Sequence, residues 1–585
     1  MMEAALRERM TGAARGADLR LVPAALVAWS AGWWLVGAPE LAAAAATAAW
    51  IAGAVMLTIA FSLPRARVAT VIVAVAVIAG ALVATTVAVR APSRSATSIE
   101  QLREFEVVTT APLPAGADRV RGVVDGVPVL VVGLERAFAM DGTIASEGAI
   151  ALGSTIDVRG RLEPKPPGES IAGILIAERA DLGRPPPVAL AWGESLRAGF
   201  RSITAQLPGD GGALLTGLAI GDDAAMPPRL DDAMTSTSLS HLTAVSGANC
   251  AVVVGAALLA TGALGFPRRV RLVVAFAMLA AFVVLVTPQP SVVRAAVMAA
   301  IALVALAVDR PVRGVPLLAL AVLLVLAADP WASREFGFVL SVLATGGLLL
   351  VAGPLAQRLT VLIPKPIALL VAVPAAAQLA CQPVIVLLNP SIPLAGIAAN
   401  LLAGPAAPIA TGLGLIACLL APIAPPLAMA VAWPAWIASS WIAGVATVLA
   451  DLPFASMPWP ADGAGAVIAI IGSGTVAWWA VRRDRGATIA GAAALCWAVV
   501  IVGVGAGAVV MDRSGRPAEW SIAQCDVGQG DAVVLRSAGA VALVDAGPDP
   551  QRLSACLDDL GIRHLDLAVL THFALDPVGG VAAII

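Results

Sequence analysis

Apolar runs long enough to cross a bilayer recur along most of this chain, and that repetition constrains its fold more than any other feature. They lie at Leu21 to Gly37 and at about 41 to 62, 68 to 89, 242 to 265, 272 to 287, 291 to 308, 314 to 328, 336 to 353, 366 to 388, 393 to 420, 426 to 450, 465 to 481 and 487 to 511. Hydrophobic residues make up 59% of the chain and charged residues 13%, against roughly 45–50% and about 25% in soluble domains. Too little polar surface exists to cover a compact body in water, so the chain reads as a polytopic α-helical membrane protein. Asn389 to Pro408, broken by Pro and Gly, reads as either spanning or re-entrant.

Basic turns fall at Pro64-Arg65-Ala66-Arg67, Pro267-Arg268-Arg269, Arg310 to Arg313, Arg358 to Lys365 and Arg482 to Arg485. Counted in alternation along the spans they share one side of the membrane, which the positive-inside rule makes cytoplasmic. The N-terminal stretch with Arg7, Arg9, Arg15 and Arg20 is then a cytoplasmic tail, and the C-terminus is expected outside.

Two segments break the apolar pattern. Residues 91–190 carry charges every few positions and alternate with period two, as in Ile156-Asp157-Val158-Arg159-Gly160-Arg161-Leu162, which predicts a small extracytoplasmic β-barrel or sandwich. From Trp520 the pattern is soluble α/β, with strands expected at Ser521 to Cys525, Asp531 to Leu535, Val541 to Val544 and Leu565 to Leu570, and a helix at about Pro550 to Leu560. The chain stops about 65 residues into this module, which is expected to be truncated. The predicted organisation is 1–90, a tail and three spans; 91–190, the β-domain; 191–240, an amphipathic connector; 241–511, a multi-span domain; and 512–585, the partial α/β module.

Several chemistries are excluded. The two lysines, Lys165 and Lys365, each follow a proline, so no GxxxxGK[ST] phosphate loop is present and the chain encodes no motor of that type. Three histidines, His241, His564 and His572, are too few for most histidine-rich sites. Six scattered cysteines without CxxC spacing indicate neither a disulfide framework nor a zinc finger.

The polar residues inside the apolar region carry the remaining signal. Ser238 to Cys250 contains His241, Ser246 and Asn249; a histidine five residues before a serine shares a helical face with it poorly, so nucleophilic catalysis is disfavoured. Arg294, Gln378, Gln382 and Asn400 stand in or beside later spans, where a guanidinium costs a few kcal/mol and normally faces a polar interior. His241, Ser246, Asn249, Arg294, Gln378 and Asn400 are therefore candidates to line a hydrophilic path between helices. In the β-domain, Arg119, Arg121, Arg159 and Arg161 are candidates to bind a nucleic acid, although twelve acids oppose eight cations between Gln101 and Asp181.

The order of these pieces resembles the ComEC family of bacterial competence proteins, which form the inner-membrane channel for incoming single-stranded DNA. The motifs carrying the resemblance are Leu215 to Asp222, His241 to Gly247, Ser291 to Met298, Phe336 to Ser341, Gly396 to Asn400 and Asp526 to Ala532. The resemblance implies an OB-like fold for 91–190 and a metallo-β-lactamase-like fold for the C-terminal module. It also implies a cytoplasmic (inner) membrane location and, as partners, single-stranded DNA, a DNA receptor, a cytoplasmic helicase or strand-handling protein, lipid and a second copy of the chain.

Family members with an intact module carry an HxHxDH or HxDxDH metal-binding run. Here it reads His572-Phe573-Ala574-Leu575-Asp576-Pro577, in which only His572 and Asp576 align, so a vestigial site and no nuclease activity are expected. No cofactor is expected, and a divalent metal only if the module were completed and its missing ligands replaced. Rival readings are a membrane-tethered metallohydrolase, a small-solute transporter and a nonfunctional truncated product.

Overall fold

The computed structural model describes residues 18–62, 67–94, 99–113, 118–139, 150–243, 247–286, 290–309, 313–452, 455–460, 463–482, 520–528, 530–571 and 579–584, with isolated positions between 491 and 503. Backbone compactness divides the chain into a unit ending at Ala498 and a unit beginning at Val499. The predicted span at 487 to 511 lies almost entirely outside the described residues.

The first unit is a multi-pass membrane protein. Its described residues hold seven helices long and apolar enough to cross a bilayer: Pro39–Ser62, Arg67–Arg94, Arg268–Val286, Phe336–Leu359, Lys365–Leu388, Pro425–Ala450 and Gly463–Val481. Gly396–Ala403 and Ala407–Leu420 form a pair bent by 51°, at the Pro- and Gly-broken segment where the sequence left re-entry open. Val22–Leu35, Asn249–Ala263, Ser291–Ala307 and Gly314–Ala328 are shorter apolar helices. Leu, Ile, Val and Trp side chains remain exposed on these helices, for example Trp34, Phe61, Leu259, Ile437 and Ile471, a face that only lipid covers favourably.

Small residues set how closely the helices approach. The helix Gly209–Ile220 is enclosed on nearly all sides, with Leu214, Leu215 and Leu218 fully buried against Ala407–Leu420 and Pro425–Ala450. Lipid gives helices no hydrophobic reason to associate, so close backbone contact and hydrogen bonds between helices hold them together. Ser439 Oγ donates to the Gly211 carbonyl at 2.7 Å, Thr411 Oγ1 to that of Leu218 at 3.1 Å and Trp436 Nε1 to that of Pro208 at 2.8 Å. The predicted amphipathic connector thus contributes a central post to the helical core.

Between the helices Arg67–Arg94 and Val188–Thr204 lies a closed five-stranded barrel. Strands β1 (Ile99–Thr109), β2 (Arg119–Val124), β3 (Val127–Val132), β4 (Thr155–Pro164) and β5 (Gly173–Leu182) are arranged in the order β1-β2-β3-β5-β4, and β1 pairs with β4 to close the sheet. All neighbours are antiparallel except β3 and β5. A short helix, Leu134–Ala139, follows β3 and buries Leu134 and Phe138 with the barrel interior. The alternation read from Ile156 to Leu162 is realised: Ile156, Val158 and Leu162 are buried, while Asp157, Arg159 and Arg161 face outward.

In the second unit, β8 (Ile522–Gln524), β9 (Val533–Ser537), β10 (Ala540–Val544) and β11 (Leu567–Val569) form a sheet in the order β11-β10-β9-β8 beside the helix Pro550–Asp559. A two-stranded pairing, β6 (Ser391–Pro393) with β7 (Ser456–Pro458), belongs to the membrane unit.

Contrary to the expectation of no disulfide framework, two of the six cysteines are bonded. Cys525 and Cys556, separated by 31 residues, are joined by a disulfide with their Cα atoms 5.8 Å apart. No local spacing signals this pair, because the fold carries the end of β8 to the helix Pro550–Asp559, where Val527, Leu553 and Leu557 form the small core beneath the bond. Closing a loop of that length restricts the unfolded chain, a contribution of about 2–4 kcal/mol. Reduction, or a Cys525→Ser/Cys556→Ser pair, is expected to lower the unfolding temperature of this unit and to increase its proteolysis while the membrane unit is unaffected; differential scanning fluorimetry with and without reductant checks this.

Candidate functional site

A run of polar side chains crosses the membrane unit from one helix to the next. Arg294, about 6 Å along the helix Pro290–Ala307 from its start, is 5% exposed. Its Nε donates to Ser341 Oγ at 2.9 Å, its Nη2 donates to the same hydroxyl, and its Nη1 lies 3.1 Å from Met298 Sδ. Among the described residues no carboxylate pairs with this guanidinium. Cys250, in the first turn of the helix Gly247–Ala263, lies near enough to feel its charge. Gly247 brings the start of that helix against Ala295, since a Cβ there would stand 3.5 Å from the alanine methyl.

Beyond Ser341 the polar contacts continue. The carbonyl of the preceding residue, Leu340, accepts from Cys381 Sγ at 3.4 Å, which ties Phe336–Gly347 to Lys365–Leu388. On that second helix, Gln378 Nε2 donates to the Pro393 carbonyl at 3.1 Å and Gln382 Nε2 to the Ser391 carbonyl at 3.2 Å. Both glutamines thus satisfy backbone that the break at Asn389 to Ala395 leaves without helical partners. Gln382 Oε1 is buried with no partner.

Asn400 completes the run. Its Nδ2 donates to the Gly396 carbonyl at 2.8 Å and reaches the Ser238 carbonyl at 3.4 Å. The same Ser238 carbonyl accepts from His241 Nδ1 at 3.0 Å, which fixes the proton of a neutral ring on that nitrogen. Ser238 has φ +57°, a left-handed conformation that aims its carbonyl at both donors. Gly396 permits the approach: a Cβ would stand 3.1 Å from Ser238 Cβ and 3.3 Å from Gln378 Oε1. His241, Gln378 and Asn400, distant in sequence, therefore meet around Ser238 and Gly396. Arg294 lies at the other end of the run, and Asn249 is half-buried one residue before Cys250. Ser246 lies outside the described residues.

An ion-pair network that sequence reading missed fastens this region. Arg197, 2% exposed, donates to the Val284 and Leu285 carbonyls at 3.2 and 2.9 Å, satisfying the C-terminal end of Arg268–Val286. Glu194 accepts from Arg197 and Arg201, and Arg201 Nε stands 3.1 Å from Asp222. The Glu194–Arg197 spacing of three residues was the available signal.

The four barrel arginines all point outward, Arg119 and Arg121 from β2 and Arg159 and Arg161 from β4. These strands flank β1 rather than each other. Arg159 stands opposite Glu104 and Arg179, Arg161 pairs with Glu178 at 3.2 Å, and Arg121 lies close to Glu335 of the helical region.

In the second unit, Asp545 is buried and accepts from the Thr571 amide at 2.7 Å and its hydroxyl at 2.8 Å, pinning the end of β11 to the end of β10. His572 and Asp576 lie outside the described residues. Ala574 and Pro577 supply no donor atom at the two other ligand positions, so the residues present do not fit a two-metal centre.

A helical, multi-pass membrane unit with an inserted five-stranded barrel and a polar run through its helices is the class that fold and site define. Residues 218–484 match the family model described as Competence protein, a likeness that suggests involvement in DNA uptake. That match covers every element of the polar run. No curated protein and no solved structure matches the chain.

Gly396→Ala forces a Cβ into the contact with Ser238 and Gln378, and Asn400→Ala leaves the Ser238 carbonyl with one donor fewer. Each is expected to cost about 1–3 kcal/mol, read as a lowered unfolding temperature in detergent. Gly444→Ala, where nothing stands within 4 Å of a new Cβ, serves as the neutral control.

Proposed function

We propose that this protein is a channel through which single-stranded DNA crosses the cytoplasmic membrane. The observation that carries the reading is the Arg294 guanidinium, buried among membrane helices with a hydroxyl and a thioether as neighbours and no carboxylate among the described residues. A cation kept at membrane depth at a cost of a few kcal/mol is there for an anion or for water. The chain of amides and carbonyls from Ser341 to Ser238 offers a polyanion a sequence of polar groups that do not trap it, and the competence family supplies the identity of the polyanion.

The barrel supports the same reading. Closure of β1 on β4, a parallel β3–β5 pair and a helix between β3 and β4 favour an OB-like fold, an architecture suited to receiving a single strand. With basic turns inside, the barrel and the C-terminal unit lie on the outer face. A disulfide in the C-terminal unit agrees with an oxidising compartment. The strand–helix order of that unit favours a metallo-β-lactamase-like module without a working metal centre. Force on the strand then comes from a partner, such as a helicase pulling from the cytoplasm.

Proteoliposomes holding the full chain are expected to admit a labelled oligothymidylate down an applied potential. Arg294→Ala and Asn400→Leu variants, verified as inserted, are expected to lower the rate at least about tenfold, equivalent to about 1.4 kcal/mol on the barrier. Wild-type rates in both variants, or passage of small solutes without oligonucleotide, would contradict the channel reading; the latter outcome favours the solute-transporter alternative.

A further inference from the structure

Among the described residues, one fastening of the barrel to the helices lies at the loop between β4 and β5. The loop between β4 and β5 sits on the segment Pro330–Arg334 and on the residue that follows, Glu335. From the end of Arg67–Arg94, Arg94 donates to the Glu169 and Ser170 carbonyls at 3.3 and 2.6 Å, and its guanidinium stacks 4.0 Å above the Trp331 ring. The Ser170 hydroxyl lies beside the Glu335 carboxylate, which Arg121 of β2 and Arg94 also face. Arg334 donates to the Trp33 carbonyl at 2.8 Å and lies under Gly168, whose φ of +106° and lack of a side chain let the loop settle against Gly37.

Glu335 immediately precedes the helix Phe336–Gly347. Two residues into that helix Phe338 is fully buried and stacks on Trp29 at 5.1 Å between ring centres. Six residues after Glu335, about 9 Å along the axis, comes Ser341, the hydroxyl that holds Arg294, and its neighbour Leu340 holds Cys381. The helix then passes into a π-helical turn, Leu348–Ala352, a place where hydrogen-bond register changes readily. One short helix thus carries the barrel's fastening at its start, the acceptor of the buried cation in its second turn and a soft joint at its end.

We propose that the helix Phe336–Gly347 couples the barrel to the buried guanidinium, so that what the barrel does at Glu335 alters the Ser341–Arg294 contact. Arg94 and Glu335 are then positioning residues for the transport path; this inference rests on the channel reading for its purpose but not for its test. Burial pushes the Glu335 carboxyl up, with Asp329 adding to the rise and Arg121, Ser170 and Arg94 opposing it, so the contact is not a simple strong ion pair.

The test is hydrogen exchange by mass spectrometry on the full chain in nanodiscs. In an Arg94→Ala/Glu335→Ala variant, and more mildly in Ser170→Ala made from the barrel side, exchange across 336–347 is expected to rise at least about tenfold, with β4 and β5 still protected as in wild type. Faster exchange confined to 165–172, with 336–347 unchanged in both variants, would overturn the coupling. Should the double variant also deprotect β4 and β5, Ser170→Ala decides alone. Oligonucleotide uptake by wild-type vesicles, measured in parallel, separates the two ideas: no uptake with the expected exchange pattern removes the channel reading and leaves the coupling standing.

Discussion

A guanidinium held among membrane helices without a carboxylate fixes much of what surrounds it. The charge of Arg294 cannot be removed at any ordinary pH, and leaving it bare among hydrocarbon costs more than most single contacts in a folded protein return. Ser341 and Met298 give its N–H groups directional partners but do not neutralise it. The groups that follow, from the Leu340 carbonyl to Ser238, keep a polar character through three otherwise apolar helices, Phe336–Gly347, Lys365–Leu388 and Gly396–Ala403. On the channel reading, mobile water and passing phosphates supply the missing countercharge.

Such a run needs a scaffold that does not depend on it. Tight packing of Gly209–Ile220 between Ala407–Leu420 and Pro425–Ala450 provides one, through Gly211 against Ser440 and Gly414 against Ala219. The Glu194, Arg197, Arg201 and Asp222 network secures the amphipathic segment to the end of Arg268–Val286. The break between Asn389 and Ala395 frees carbonyls, and Gln378 and Gln382 are spent on satisfying those of Pro393 and Ser391, while Asn400 bonds the Gly396 and Ser238 carbonyls. These amides therefore serve the backbone first, and a ligand only by the donors and acceptors left over, among which Gln382 Oε1 is the clearest.

Much of this was legible in the residues, for identifiable reasons. Apolar length gave the spans because hydrocarbon thickness fixes how many residues a helix needs, and strict alternation gave β4 because only one barrel face is buried. Arg294 stood out because a charge within an apolar run is costly wherever it lies. The partners were less legible: Ser341 is one serine among many until the fold sets Phe336–Gly347 beside Pro290–Ala307, and the Cys525–Cys556 bond arises from a long-range return of chain. The barrel arginines were candidates to bind a nucleic acid together, yet strand order inserts β1, with Glu104 and Glu106, between their two strands. Arg94, Arg334 and Glu335 read as ordinary span-end charges, and nothing local marks them as the seat of the β4–β5 loop.

On the channel reading, the polar run around Arg294 is wetted from the aqueous phases. Hydroxyl-radical labelling in nanodiscs tests it through two methionines of the same domain. Met298 lies against the Arg294 guanidinium, while Met278 is 41% exposed on the lipid-facing side of Arg268–Val286. Wetting predicts oxidation of Met298 at several times the rate of Met278; a Met298 as protected as Met278, or more so, would mean a dry interior and contradict the account.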